Sequence, residues 1–282
     1  MGVAVAERVA VRRHPGGRWS IEDIPWRAVD RAAIARSEEF FYLVASASFM
    51  ERTTDLYTRI LIDFFAGDAE VTDWLEHYWL PEELQHGRAL RRYVETAWPE
   101  FDWLGVYQSF VAEFQAYCQP EGLEAVRGLE MASRCVVETG TAAYYTTLSR
   151  ASPEPVLALL ARRIADDEVR HYKYFYRFFR KYREAERSGT GAVWAALWRR
   201  LRMSRGEDSF VVLKHIHRAA EPGAPFDRRT YRALRRRGRR LVYRHFPYEM
   251  SVKMLLKPLG LGPVAQRVAV PLAETLTRRL VP

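Results

Sequence analysis

The sequence predicts an all-α protein. Apolar residues recur every three or four positions, strand-like alternation is scarce, and only 16 glycines are spread over 282 residues. Hydrophobic residues make up 48% and aromatic residues 13%, which suits a packed core and not a disordered chain. The length fits one large domain, or a domain with an extension.

Residues 1–36 read as an irregular basic arm, with His14-Pro15-Gly16-Gly17, Pro25 and a short helix near 27–35. The first long helix is predicted over 37–66. Ser37 with Glu39 ahead of an apolar run is its start signal, and Gly67-Asp68 its stop. Phe41, Val44, Ala47, Glu51, Asp55, Thr58, Ile62 and Phe65 share one face. The second helix is predicted over 69–98, closed by Pro99, with Pro81 kinking or splitting it. A shorter crossover helix follows at 103–118, ended by Pro120-Glu121-Gly122.

The third long helix is predicted over 123–150, with Met131, Cys135, Glu138, Ala142, Tyr145 and Leu148 on one face. Ser152-Pro153 breaks the chain, and Pro155 suits the first turn of a fourth helix over 154–188. Leu157, Leu160, Ile164, Glu168, His171, Phe175 and Phe178 share its face. Residues 189–191 form a linker. Beyond it, 192–204, 207–220, 228–245, 248–257 and 262–280 read as helical, without an independent core. The predicted organisation is an arm (1–36), a four-helix bundle with a crossover helix (37–188), and a basic helical extension packed on it (189–282).

Composition bounds the function. Cys118 and Cys135 make neither a disulfide framework nor a zinc motif, and Cys135 reads as a packed core thiol. No run of eighteen apolar residues appears, so no spanning helix is expected. The opening M-G-V-A-V-A-E-R is a poor signal peptide, and Ala6 stands where a myristoylation motif wants Ser or Thr. A cytoplasmic location is the expectation. The net charge is +9, and nine arginines with no acid lie between Arg228 and Arg244. That stretch calls for an acidic partner, whether nucleic acid, anionic lipid or an acidic protein; no recognition motif accompanies it, so nucleic acid is not expected.

Two Glu-x-x-His pairs locate the chemistry: Glu83 with His86 in W-L-P-E-E-L-Q-H-G (79–87), and Glu168 with His171 in A-D-D-E-V-R-H. Three residues is nearly one helical turn, so each carboxylate shares a face with its imidazole. One such pair is weak; its repetition is the signal. Each pair also finds a carboxylate at its own level across a hairpin. Glu51 lies sixteen residues before Gly67 and Glu83 sixteen after it; Glu138 lies fifteen before Pro153 and Glu168 fifteen after it. Rival Glu39 lies a further twelve residues away, roughly 18 Å at helical rise. Four carboxylates and two imidazoles on four inward faces form the ligand set of ferritin-like di-iron bundles, suited to two iron or manganese ions. Zinc favours fewer, nitrogen- or sulfur-rich ligands.

At these residues the chain resembles the soluble acyl-ACP desaturases. The stretch 79–87 is similar to their second-helix W-x-x-E-E-x-x-H-G, Asp167–His171 to their fourth-helix D-E-x-R-H, and Glu138 with Thr141 to their third-helix E-x-x-T. Glu51 followed by Tyr57-Thr58 is a looser match on the first helix. The resemblance covers about 37–180. It implies that Glu51 and His86 bind one iron, Glu138 and His171 the other, and that Glu83 and Glu168 bridge them. Thr141 would assist proton delivery, although its hydroxyl could equally bond back to its own helix. Asp167 and Trp79 would stand behind the ligands.

The resemblance also implies oxygen as co-substrate, electrons from a ferredoxin-type donor, a homodimer, and an acyl carrier protein as the acidic partner of the arginines. The expected reaction is insertion of a double bond into a carrier-bound acyl chain. The aromatic fourth helix (Tyr172, Tyr174, Phe175, Tyr176, Phe178, Phe179) would line an acyl tunnel or form core. The chain is shorter than the plant enzymes of that family, which leaves other ferritin-like oxygenases open: an acyl hydroxylase, an aldehyde-deformylating enzyme or an N-oxygenase. Ile164 and Asp167 stand where an N-oxygenase would add a histidine. A non-enzymatic metal-binding protein is the remaining alternative.

Overall fold

The computed structural model describes residues 19–118, 122–203 and 208–280. Expectations for 1–18, including His14-Pro15-Gly16-Gly17, for Pro120-Glu121 and for residue 207 lie outside the described residues. All regular structure among the described residues is helical.

The arm is more ordered than its composition suggests. Two 3-10 turns, Ile21–Asp23 and Trp26–Ala28, lead to α1 (Arg31–Ile34). Asp30 caps α1 by accepting from the amides of Ala32 and Ala33. Trp19, Ile24 and Ile34 are buried in the main core.

The predicted first helix is two: α2 (Glu38–Arg52) and α3 (Thr54–Phe64). Ser37 caps it as expected, accepting from the Phe40 amide. The break falls at Thr53, whose hydroxyl bonds back to the Met50 carbonyl at 2.7 Å; Thr58 does the same to Thr54 at 2.6 Å. Such back-bonding competes with the helix ladder and bends helices. Gly67, at φ 89°, turns the chain into α4 (Ala69–Trp74).

Pro81 splits the second helix in a specific way. A wide π turn, Leu75–Trp79, precedes α5 (Leu80–Ala97), and the Leu80 amide reaches back five residues to the Leu75 carbonyl. Proline has no amide to bond four residues back and its ring crowds the carbonyl there; the wider turn gives that ring room. The crossover helix α6 covers Trp103–Phe114 and ends in a 3-10 turn, Gln115–Tyr117.

The third long helix, α7 (Arg127–Ala151), starts four residues later than predicted, because the Glu130 carboxylate ties down the Glu124 amide at 2.9 Å and holds that stretch as a loop. The fourth, α8 (Pro155–Glu186), is capped by buried Glu154, which accepts from the amides of Val156 and Leu157. The same carboxylate takes the Tyr93 hydroxyl of α5 at 2.8 Å.

The extension forms α9 (Thr190–Met203), α10 (Asp208–Ala220), α11 (Arg228–His245), α12 (Tyr248–Leu256) and α13 (Pro263–Leu280). Helices α9, α11 and α12 pack on α7, α10 packs on α6 and α2, and α13 rests on α12. Among the described residues, apolar side chains of α9 to α12 join two existing clusters, α13 contributes to neither, and no third core forms. No helix among the described residues is long and apolar enough to cross a membrane.

Those two clusters position the site. One contains Phe40–Phe49 of α2, Ala89–Ala97 of α5, Tyr145 and Leu148 of α7, and Val156–Ala165 of α8. The other contains Leu61, Phe65, Trp74–Trp79, Met131–Val136 and Tyr172–Tyr182. Between them, each of the four chain segments passes through one polar layer: Glu51, Glu83 and His86, Glu138, and Asp167 to His171. Tyr172, Phe175, Phe178 and Phe179 are buried core residues.

Candidate metal centre

Glu51, Glu83, His86, Glu138, Glu168 and His171 are all buried, none more than 7% exposed. They form two overlapping groups, Glu51, Glu83, His86 and Glu168, and Glu83, Glu138, Glu168 and His171. In each group the ligand atoms lie within 4.8 Å of one another, and each could hold a metal ion. Glu83 and Glu168 belong to both.

The imidazoles are oriented alike. Nε2 of His86 faces Asp167 at 3.0 Å, and Nε2 of His171 faces Glu82 at 2.8 Å. The Arg170 guanidinium joins both carboxylates, at 2.8 Å from Asp167 and 2.9 Å from Glu82. Each Nδ1 therefore points inward: His86 Nδ1 lies 3.3 Å from Glu168, and His171 Nδ1 lies 2.9 Å from Glu83 and 3.7 Å from Glu138. Neither Nδ1 makes a hydrogen bond, and neither do Glu83 Oε1, Glu138 Oε2 and Glu168 Oε1. Five buried polar atoms thus converge without well-formed hydrogen bonds, and a cation or shared protons must offset their burial.

The electrostatics agree. Burial, reinforced by the charges of Glu83 and Glu168, pushes the Glu51 carboxyl well above its usual range. Burial and Glu168 do the same to Glu138. Burial opposes protonation of both imidazoles, yet Asp167 and Glu168 raise His86, and Glu168, Glu82 and Glu83 raise His171, well above the ordinary value. Glu168 is pulled down despite its burial, because both histidines stand against it. Without a cation the cluster balances itself with protons. Two divalent ions would match the four carboxylates and leave the histidines neutral.

Thr141 bonds back to its own helix and also reaches a carboxylate of the cluster. Its hydroxyl lies 3.2 Å from the Glu138 carbonyl of its own helix and 2.7 Å from Glu168 Oε2. Asp167 stands behind His86, its carboxylate 3.0 Å from Nε2. Trp79 does not serve an imidazole: it packs on Phe175, Tyr57 and Trp74, and its indole N–H has no hydrogen-bond partner. The π turn that ends at Trp79 carries its ring into the aromatic cluster below the polar layer.

Four contributors escaped sequence reasoning. Glu82 and Arg170 lie inside the quoted motifs, and their neighbour positions were the available signal. Tyr145 donates its hydroxyl to Glu51 Oε1 from the inner face of α7. Trp19 carried no signal: it donates to Asp167 at 2.8 Å from 148 residues away and lies parallel to His86 at 6.2 Å.

No protein-family model and no curated protein matches this chain.

Proposed function

We propose that the chain is a ferritin-like di-iron oxidoreductase, similar to the soluble acyl-ACP desaturases, that introduces a double bond into a carrier-bound acyl chain. One observation carries this reading: six ligand side chains from four helices converge with two shared carboxylates, and both imidazoles turn Nδ1 inward. Four inward-facing helix segments with two Glu-x-x-His pairs are the ligand arrangement of that fold. Iron fits the donor set, and manganese would fit as well.

Glu51 and His86 would hold one ion, Glu138 and His171 the other, and Glu83 and Glu168 both. When bound, the reduced iron pair supplies the oxygen activation needed to remove hydrogen from an unactivated CH₂, which no side chain can do alone. The chain's own residues do the rest. Asp167 and Glu82 fix tautomer and ring orientation by accepting from Nε2. Thr141 holds a proton 2.7 Å from Glu168 Oε2, and Tyr145 holds another against Glu51. The aromatic wall of Trp74, Trp79, Phe175 and Phe178 excludes water from one side of the polar layer.

Helix α11 supports an acidic carrier as the acyl donor, since it presents nine arginines and no acid. A ferredoxin-type donor and a homodimer complete the proposal, with a cytoplasmic setting. The test is mass analysis of long-chain acyl carrier protein after incubation with oxygen and a reducing system. Loss of two hydrogens is expected. Gain of one oxygen atom would replace desaturation by hydroxylation, and an unchanged chain would remove the acyl carrier as substrate.

A further inference from the structure

Helix α13 exposes an apolar row that nothing in the proposed reaction uses. Val264 is 78% exposed, Val268 59%, Leu272 60% and Leu276 56%. Each is four residues from the next, so the row runs along one side of the helix for roughly 18 Å. The opposite side, with Ala269, Val270, Ala273 and Thr277, is half-buried, and α13 packs on α12. The only acid in the helix, Glu274, is paired with Arg278 at 2.8 Å.

A second row lies on α11. Arg232, Arg236, Arg240 and Arg244 are exposed at the same four-residue spacing. Tyr248 of α12 links the two helices: the Arg278 guanidinium of α13 lies 4.1 Å over its ring, and its hydroxyl donates to the Tyr243 carbonyl of α11 at 3.2 Å.

We infer that α13 and α11 together form a peripheral docking face for an anionic lipid bilayer. The aliphatic row would enter the boundary between headgroups and acyl chains, and the arginine row would meet the phosphates. An acidic protein accounts for the arginines but leaves four aliphatic side chains in water. A second copy of the chain fits worse. Four side chains offer a few hundred Å², below the about 800 Å² per partner of a stable interface. This inference does not rest on the proposed reaction, and α11 would serve both partners in turn.

The test is cosedimentation of the full chain with vesicles of phosphatidylcholine alone and of phosphatidylcholine with phosphatidylglycerol. Binding is expected to the anionic vesicles only. Val268→Asp with Leu272→Asp should lower partitioning at least tenfold, and Arg236→Gln with Arg240→Gln roughly thirtyfold. The milder pair Val264→Ser and Leu276→Ser guards against an effect on folding and should weaken binding in the same direction. No sedimentation with anionic vesicles, or binding that both aliphatic pairs leave unchanged, would overturn the inference. A wild-type dimer in sedimentation velocity that the aspartate pair dissociates would overturn it too, in favour of self-association.

Discussion

Gly87 of α5 lies directly against the backbone of Arg52 in α2. A Cβ placed at residue 87 would sit 2.9 Å from the Arg52 amide nitrogen and 2.8 Å from its Cγ. The contact brings together His86 and Glu51, their immediate neighbours in sequence. Gly87→Ala must therefore push α2 from α5, at a cost of about 1–3 kcal/mol. A lower Tm together with reduced metal uptake is expected in thermal unfolding and metal analysis. A variant with wild-type stability and full metal content would show that this approach does not set the spacing of Glu51.

Asp167 and Glu82 play matching parts behind the two imidazoles. Removing either partner should weaken metal affinity or activity by roughly 10- to 100-fold. Asp167→Ala and Glu82→Ala should thus have effects of similar size in competitive metal titrations. A large effect of the first with none of the second would break the correspondence between the two halves.

The metal-free protein should lose stability as pH rises. Glu51 and Glu138 are raised above an ordinary value of 4.5, and His86 and His171 above 6.5. Above about pH 5 the native state then binds more protons than the unfolded chain, so increasing pH favours unfolding. Asp167, Glu82 and Glu168 are lowered and act in the opposite sense, but only towards acid pH. Denaturant melts of the metal-free protein from pH 5 to 9 check this. Metal should flatten the dependence and release protons on binding. Stability that climbs through the neutral range without metal would contradict the electrostatic picture.

Thr141→Val removes the hydroxyl that meets Glu168 and leaves the side-chain volume nearly unchanged. Metal content should hold while turnover with acyl carrier protein falls by about 10-fold or more. Equal turnover in the two proteins would leave Thr141 with only its bond to the helix backbone.

Much of the site was legible because its geometry is local. Glu83 with His86, and Glu168 with His171, follow from helical period alone. The levels of Glu51 and Glu138 follow from counting back through Gly67 and Pro153. The count survives the break at Thr53 and the π turn before Pro81, neither of which helical period reveals. The break depends on threonine hydroxyls competing for carbonyls, and the π turn on how the chain absorbs one proline. Trp19 was illegible for a different reason: its bond to Asp167 is a tertiary contact across 148 residues. Trp79 packs on Trp74 and Phe175, and helical spacing alone does not separate that place from one behind the ligands.

The central claim is a centre of two metal ions that share Glu83 and Glu168. Anaerobic titration of the metal-free chain with ferrous iron, followed by metal analysis after desalting, tests it most directly. Two ions should bind per chain in the wild type, and Glu83→Ala should weaken both. One ion or none in the wild type, or full retention of both by Glu83→Ala, would contradict the account.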